Sequence, residues 1–112
     1  MDSILTSVIK LSGVPENCPH FADQIVAYIN SVFFVLKQLG VGPEAGFVIT
    51  DESEIWSDFI SDDVVLREAT KAYVASKVRL QFDPPSNSAH LEALKNIIAE
   101  YEWRANVEVE SR

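Results

Sequence analysis

Cysteine is nearly absent from this chain: 112 residues hold one, Cys18. An internal disulfide framework is thereby excluded, and such usage fits a reducing cytoplasm. Glycine is sparse as well, at positions 13, 40, 42 and 46, and no spacing among these four matches a phosphate-cradling loop. The two histidines, His20 and His90, lie 70 residues apart. Cys18-Pro19-His20 has no second pair to complete a metal site, and it reads as a buried thiol beside a helix-start histidine. No apolar run reaches the roughly 18 residues of a membrane span. Met1-Asp2-Ser3-Ile4 lacks the basic region and the apolar stretch of a secretory signal.

Basic residues are scarce in one half. Residues 1–66 hold ten acids against two lysines, and residues 67–112 hold seven of each sign, so the formal charge of −8 belongs to the first half. An acidic half argues against wrapping nucleic acid nonspecifically, although a negative wall is compatible with DNA passing nearby.

What is abundant is apolar surface. The chain is 47% apolar and 10% aromatic, enough for a core without disulfide staples, and its length fits one domain. Between Phe21 and Leu39, the residues Phe21, Ile25, Tyr28, Val32, Val35, Leu36 and Leu39 share one helical face, while Val26, Phe33 and Phe34 fall on the far side. A helix that is apolar nearly all round is buried nearly all round. In so short a chain, part of that burial is expected from another subunit.

The spacing predicts an all-α fold of four or five helices. A short first helix over Ser3–Leu11 places Ile4, Leu5, Val8 and Leu11 together and ends at Ser12-Gly13-Val14-Pro15. A long helix follows from about Pro19 or His20 to Leu39, with Gly40 as its left-handed stop. Phe47-Val48-Ile49-Thr50 reads either as an extended loop or as a very short strand whose partner lies on another chain. Asp51-Glu52-Ser53-Glu54 carries the signals of a helix start, which would run to about Ile60. Ser61-Asp62-Asp63 opens a helix over about 62–82, which Asp83-Pro84-Pro85 terminates. Asn87 or Ser88 caps a last helix through about Val107, and the tail 108–112 is expected to fray. The whole, 1–112, reads as a single helical domain.

No reactive constellation is visible. Ser57-Asp58 and Ser61-Asp62-Asp63 have no histidine at a suggestive spacing, and paired acids are ordinary helix-start residues. Nothing in the sequence argues for an enzyme, a cofactor or a bound metal. The candidate functional residues are therefore contact residues. Arg67, Lys71, Lys77 and Arg79 spread around the fourth helix, with only Arg67 and Lys71 one turn apart. They form either a solvated face or a patch that meets the acidic half of a neighbouring subunit. The last helix has a broad core stripe of Leu91, Leu94, Ile97, Ile98, Tyr101 and Ala105. Its opposite face begins polar, with Glu92, Asn96 and Glu100, and then turns apolar at Trp103 and Val107. Trp103, with Arg104 and Val107 beside it, is either an interface anchor or an aromatic folded back on the short helices. Trp56 shares a side with Phe59 and Ile60 and reads as core.

A family resemblance sharpens this. It lies in Leu36-Lys37-Gln38-Leu39-Gly40-Val41-Gly42, in Ile55-Trp56-Ser57-Asp58-Phe59-Ile60, in Ala72-Tyr73-Val74 leading to Val78-Arg79-Leu80-Gln81-Phe82-Asp83-Pro84-Pro85, and in Glu102-Trp103-Arg104. Through these the chain resembles, over nearly its whole length, the small head–tail connector (adaptor) proteins of long-tailed bacteriophages, encoded after the major capsid protein. The resemblance implies a helical subunit of a homo-oligomeric, twelve-fold ring beneath the portal protein. Such a ring extends the DNA channel, lets DNA pass without specific binding and offers a platform to the next neck or tail protein. It also implies a place in the virion at the head–tail interface after synthesis in the host cytoplasm, with no membrane and no catalytic residues. The interface candidates on this reading are Val26, Phe33, Phe34, Arg67, Lys71, Trp103, Arg104 and Val107. The competing reading is a small acidic regulator or inhibitor, a DNA mimic that binds a DNA-directed enzyme. Assembly separates the two, since a mimic works as a monomer or dimer and a connector needs a ring-forming surface.

Overall fold

A computed structural model describes residues 3–12, 22–61, 63–82 and 84–110. They form five helices: α1 (Ile4–Ser12), α2 (Ala22–Gln38), α3 (Trp56–Phe59), α4 (Val64–Phe82) and α5 (Ser88–Glu110). The expected all-α class is what the chain adopts, and no strand occurs among the described residues. Cys18, His20 and Phe21 lie outside them.

α4 is the central helix, and the other four all pack on it. Thr70, Tyr73, Val74 and Val78 recur at three- and four-residue steps and are buried, and Ala75 widens the stripe. A wide buried arc is what a helix needs when neighbours cover it on several sides. Asp63 supplies the N-cap, its carboxylate accepting from the Leu66 N–H at 2.9 Å. At the start of α5 the cap is Asn87, whose Oδ1 accepts from the N–H groups of Ala89 and His90. α5 is helical through Glu110, three residues beyond the expected end near Val107.

α2 ends as expected at Gly40, with φ +82°. The Val41 N–H reaches Leu36 O at 2.9 Å and the Gly40 N–H reaches Lys37 O at 3.1 Å. This pair of bonds satisfies two terminal carbonyls and lets Val41 and Leu36 be buried together. The chain then doubles back. Between Val41 and Ile60 it lays Val41, Ile49, Trp56, Phe59 and Ile60 into the core.

That return corrects the expected far side of α2. Phe33 is 1% exposed and is the hub of an aromatic cluster. It stacks on Phe59 at 4.6 Å between centroids and meets Phe47 at 5.6 Å and Trp56 at 6.4 Å edge-on. Val26 is half-buried against the same core. Of the three far-side residues only Phe34 remains on the surface, at 61% exposure. The apolar surplus of α2 is thus absorbed mostly inside the subunit, by its own residues 41–60.

The 47–50 segment forms no strand. Its partner is a side chain: Asn30 donates to Ile49 O at 3.0 Å and accepts from the Ile49 N–H at 2.8 Å. The carboxamide thereby reproduces both bonds of a strand neighbour and leaves Ile49 buried. The acidic run after it forms a hydrogen-bonded turn instead of the expected helix start. Asp51 accepts from the Ser53 N–H and hydroxyl. Glu54 accepts from the N–H groups of Thr50 and Asp51 and from the Thr50 hydroxyl. Local side-chain bonds of this kind compete with helix, and they hold both carboxyls below their ordinary range. The Ser53 hydroxyl is the main cause at Asp51, and the Thr50 N–H at Glu54. α3 is consequently a single turn from Trp56 to Phe59. It is tied to α1 by an antiparallel bridge between Ser3 and Ile55 and by the Trp56 indole, which donates to Ser7 Oγ at 2.6 Å.

Two residues expected on core stripes are exposed instead, Leu11 and Ile97. At 100° per residue each sits about 70° from the centre of its helix's buried stripe, at the edge rather than the middle. Ser12 takes the buried position on α1 and returns its hydroxyl to Ile9 O.

Candidate assembly surface

α5 holds to α4 along one narrow stripe. Ile98 is its single fully buried apolar residue among those described, with Leu94, Tyr101 and Ala105 half-buried around it. A polar ladder adds to that contact. The hydroxyls of Thr70 and Tyr101 are 2.7 Å apart, Tyr73 donates to Glu102 at 2.6 Å, and Lys77 Nζ lies 3.4 Å from the same carboxylate. The rings of Tyr73 and Tyr101 stack at 4.2 Å. Burial, and then the hydrogen bond to Glu102, push the Tyr73 hydroxyl well above its ordinary value, so it remains a neutral donor. The sequence carries only a faint trace of this ladder: Thr70, Tyr73 and Lys77 are polar-capable residues at steps of three and four within a buried stripe.

The opposite side of α5 is open. Trp103 is 64% exposed and Val107, one turn on, is exposed with it. Trp103 therefore does not fold back on the short helices. Arg104 is exposed and paired with Glu100 one turn earlier, at 2.9 Å. Val64 and Val65, at the antiparallel end of α4, are exposed as well, Val65 at 81%. The sequence does not mark them, because they follow a cap and resemble the first residues of a core stripe. Between this end of α4 and the last turns of α5 runs a groove of about 300 Å³, lined by Asp63, Val65, Leu66, Ala69, Tyr101, Arg104 and Ala105.

The other candidates fall elsewhere. Arg67 and Lys71 do not form a common basic patch. Arg67 Nη1 donates to Ile60 O at 3.1 Å, closing the end of α3, and Lys71 pairs with Glu68 at 3.0 Å. Phe34 borders a second depression, of about 260 Å³, with Lys37, Phe47 and Val48 among its lining. Among the described residues, no three His, Cys, Asp or Glu side chains converge as metal ligands would. No helix among them is long and apolar enough to cross a membrane.

Trp103 with Val107 on α5, and Val64 with Val65 at the start of α4, leave large apolar side chains exposed on an all-helical subunit. The chain matches the phage connector protein family over residues 4–112, and it belongs to that family, the phage head–tail connectors. Its role is that of a phage connector, working with other head–tail proteins. No curated protein and no solved structure matches the chain.

Proposed function

We propose that this connector is the subunit of a homo-oligomeric, twelve-fold ring at the head–tail interface of the virion. The ring sits beneath the portal protein, extends the DNA channel and docks the next neck or tail protein. The observation that carries this reading, beside family membership, is Trp103. It is a large aromatic held in solvent on a face of α5 that begins polar, with Val107 one turn away. Interfaces draw their energy from a few such anchors. Trp103, Arg104 and Val107 form the assembly surface, with Phe34 as a second exposed aromatic. Arg67 acts from within, by closing the end of α3 against α4. The acidic charge of the first half serves a channel wall along which DNA slides without sticking.

Native mass spectrometry and electron microscopy of the protein with its portal test this. Rings at high protein concentration, or a stoichiometric ring bound to portal, are expected. A strict monomer that ignores portal and neck proteins would overturn the ring. The same acidic charge also suits a DNA mimic, and a stable monomer or dimer that inhibits a DNA-directed enzyme is the outcome that would favour that reading.

A further inference from the structure

Two of the apolar surface features among the described residues share no residue with each other. One is a knob, Phe34 with Val48, both largely exposed on either side of a shallow depression. The other is the α4–α5 groove, whose rim includes Val65 and whose walls are Leu66, Ala69, Tyr101 and Ala105. At about 300 Å³ the groove is at the lower end for a small-molecule site. It suits one inserted side chain better than a ligand.

Charge follows the same division. Lys37 lies one turn from Phe34 and lines the knob's depression, whereas Asp63 lines the groove. Neither is found in an ion pair among the described residues. Arg104, which also lines the groove, is already paired with Glu100. The knob thus carries a cation and the groove an anion. The two features are different patches, so a contact between them is heterologous, and such contacts close into rings when the rotation allows.

We infer that the occupant of the α4–α5 groove is a second copy of this chain, which inserts Phe34 beside Val65 and places Lys37 against Asp63. The inference rests on the ring reading above and names the surfaces of its repeating contact.

Complementing variants test it. Phe34→Asp spoils the knob and leaves the groove intact, and Val65→Asp does the reverse. Both positions are exposed, and unchanged circular dichroism and thermal unfolding establish that each variant folds. By native mass spectrometry, wild type assembles into rings, each variant alone stays monomeric, and a 1:1 mixture forms heterodimers that grow no further. Asp63→Asn, which keeps the cap acceptor, and Lys37→Gln each weaken assembly at least tenfold, and together they weaken it no more than either alone. If wild type forms no ring with or without portal, the ring reading fails and this contact falls with it. If wild type forms rings and either aspartate variant forms them equally well, the ring stands and the contact is wrong. Variants that keep the ring but lose portal would assign the groove to the portal, and that also overturns the inference.

Discussion

The hydroxyl of Tyr73 donates to the carboxylate of Glu102 across 2.6 Å, from the middle of α4 to the C-terminal half of α5. With so little apolar burial on α5, this bond and its neighbours are a large share of what holds the helix in place. A hydrogen bond to a charged group contributes about 1.5–3 kcal/mol net. Tyr73→Phe leaves Glu102 its contact with Lys77, so a loss of about 1–2 kcal/mol is expected. Denaturant unfolding measures it, and no change in midpoint would show that the ladder is incidental.

The same residue sets an alkaline limit. Tyr73 is held protonated in the fold above its ordinary value of 10.0, chiefly by burial and then by Glu102. In the unfolded chain it ionises at the ordinary value. The unfolded state therefore binds fewer protons above pH 10, and stability falls as pH rises from there. Below that pH the contribution is complete. Thermal unfolding from pH 8 to about 11.5 is expected to show a steeper alkaline decline for wild type than for Tyr73→Phe. Identical slopes would remove Tyr73 as the source.

Asn30 is the only side chain described as pairing with both backbone polar groups of buried Ile49. Asn30→Ala strands an N–H and a carbonyl, at about 1–3 kcal/mol for an unsatisfied buried group. Asn30→Asp keeps the acceptor for the N–H and loses the donor, so it is expected to fall between wild type and alanine near neutral pH. Equilibrium unfolding of the three proteins ranks them, and an alanine variant as stable as wild type would show that water replaces the amide at no cost.

Two glycines separate backbone strain from packing. Gly42 and Gly46 both have φ near +90° (+89° and +94°). A Cβ on Gly42 would overlap the Phe59 ring at the centre of the aromatic cluster, whereas on Gly46 it would meet the movable stem of Lys37 at 3.3 Å. Gly46→Ala is expected to cost the left-handed backbone penalty alone, about 1–2 kcal/mol. Gly42→Ala adds the displacement of Phe59, by about 1–3 kcal/mol more. Equal losses would mean that Phe59 moves aside freely.

The elements were legible where local chemistry sets their ends. Gly40 stops α2, Pro84-Pro85 follows α4, and Asn87 caps α5. The path of residues 41–60 was not legible, because distant partners hold it. Asn30 bonds Ile49 across 19 positions, and Trp56 reaches Ser7 across 49. Without those contacts Phe33 reads as a subunit-interface residue and Asp51–Glu54 as a helix start. Of the interface candidates, Phe34, Trp103, Arg104 and Val107 are exposed, and Phe33 is core. Val65 and the groove beside it arise only when the ends of α4 and α5 meet.

The charge balance makes a prediction about DNA. With a formal net charge of −8, and with exposed acids at Asp51, Glu52 and Asp58, the isolated protein is expected to lack useful affinity for duplex DNA. Phosphate contacts dominate nonspecific binding, and this surface has the wrong sign for them. Fluorescence anisotropy with a labelled duplex at physiological salt measures it. Micromolar binding would overturn the expectation, and with it the non-adhesive channel wall.

Trp103 separates assembly from folding. At 64% exposure it contributes little to the subunit's own core, and surface substitutions of that kind usually change stability by no more than about 0.5 kcal/mol. Trp103→Ala is therefore expected to leave circular dichroism and the unfolding midpoint close to wild type. If the ring of Trp103 is buried at a contact, the same substitution costs assembly about 2 kcal/mol or more, the range of an interface hot spot. Arg104→Glu acts in the same direction where Arg104 faces an acidic neighbour, and it also turns the local pair with Glu100 into a repulsion. Its effect on the monomer is small, because exposed pairs one turn apart contribute only about 0.3–0.5 kcal/mol. Sedimentation of the wild-type and variant proteins with portal, beside their unfolding curves, distinguishes the two roles. Should Trp103→Ala unfold the subunit while folded molecules assemble as before, the tryptophan belongs to the core and the assembly surface lies elsewhere.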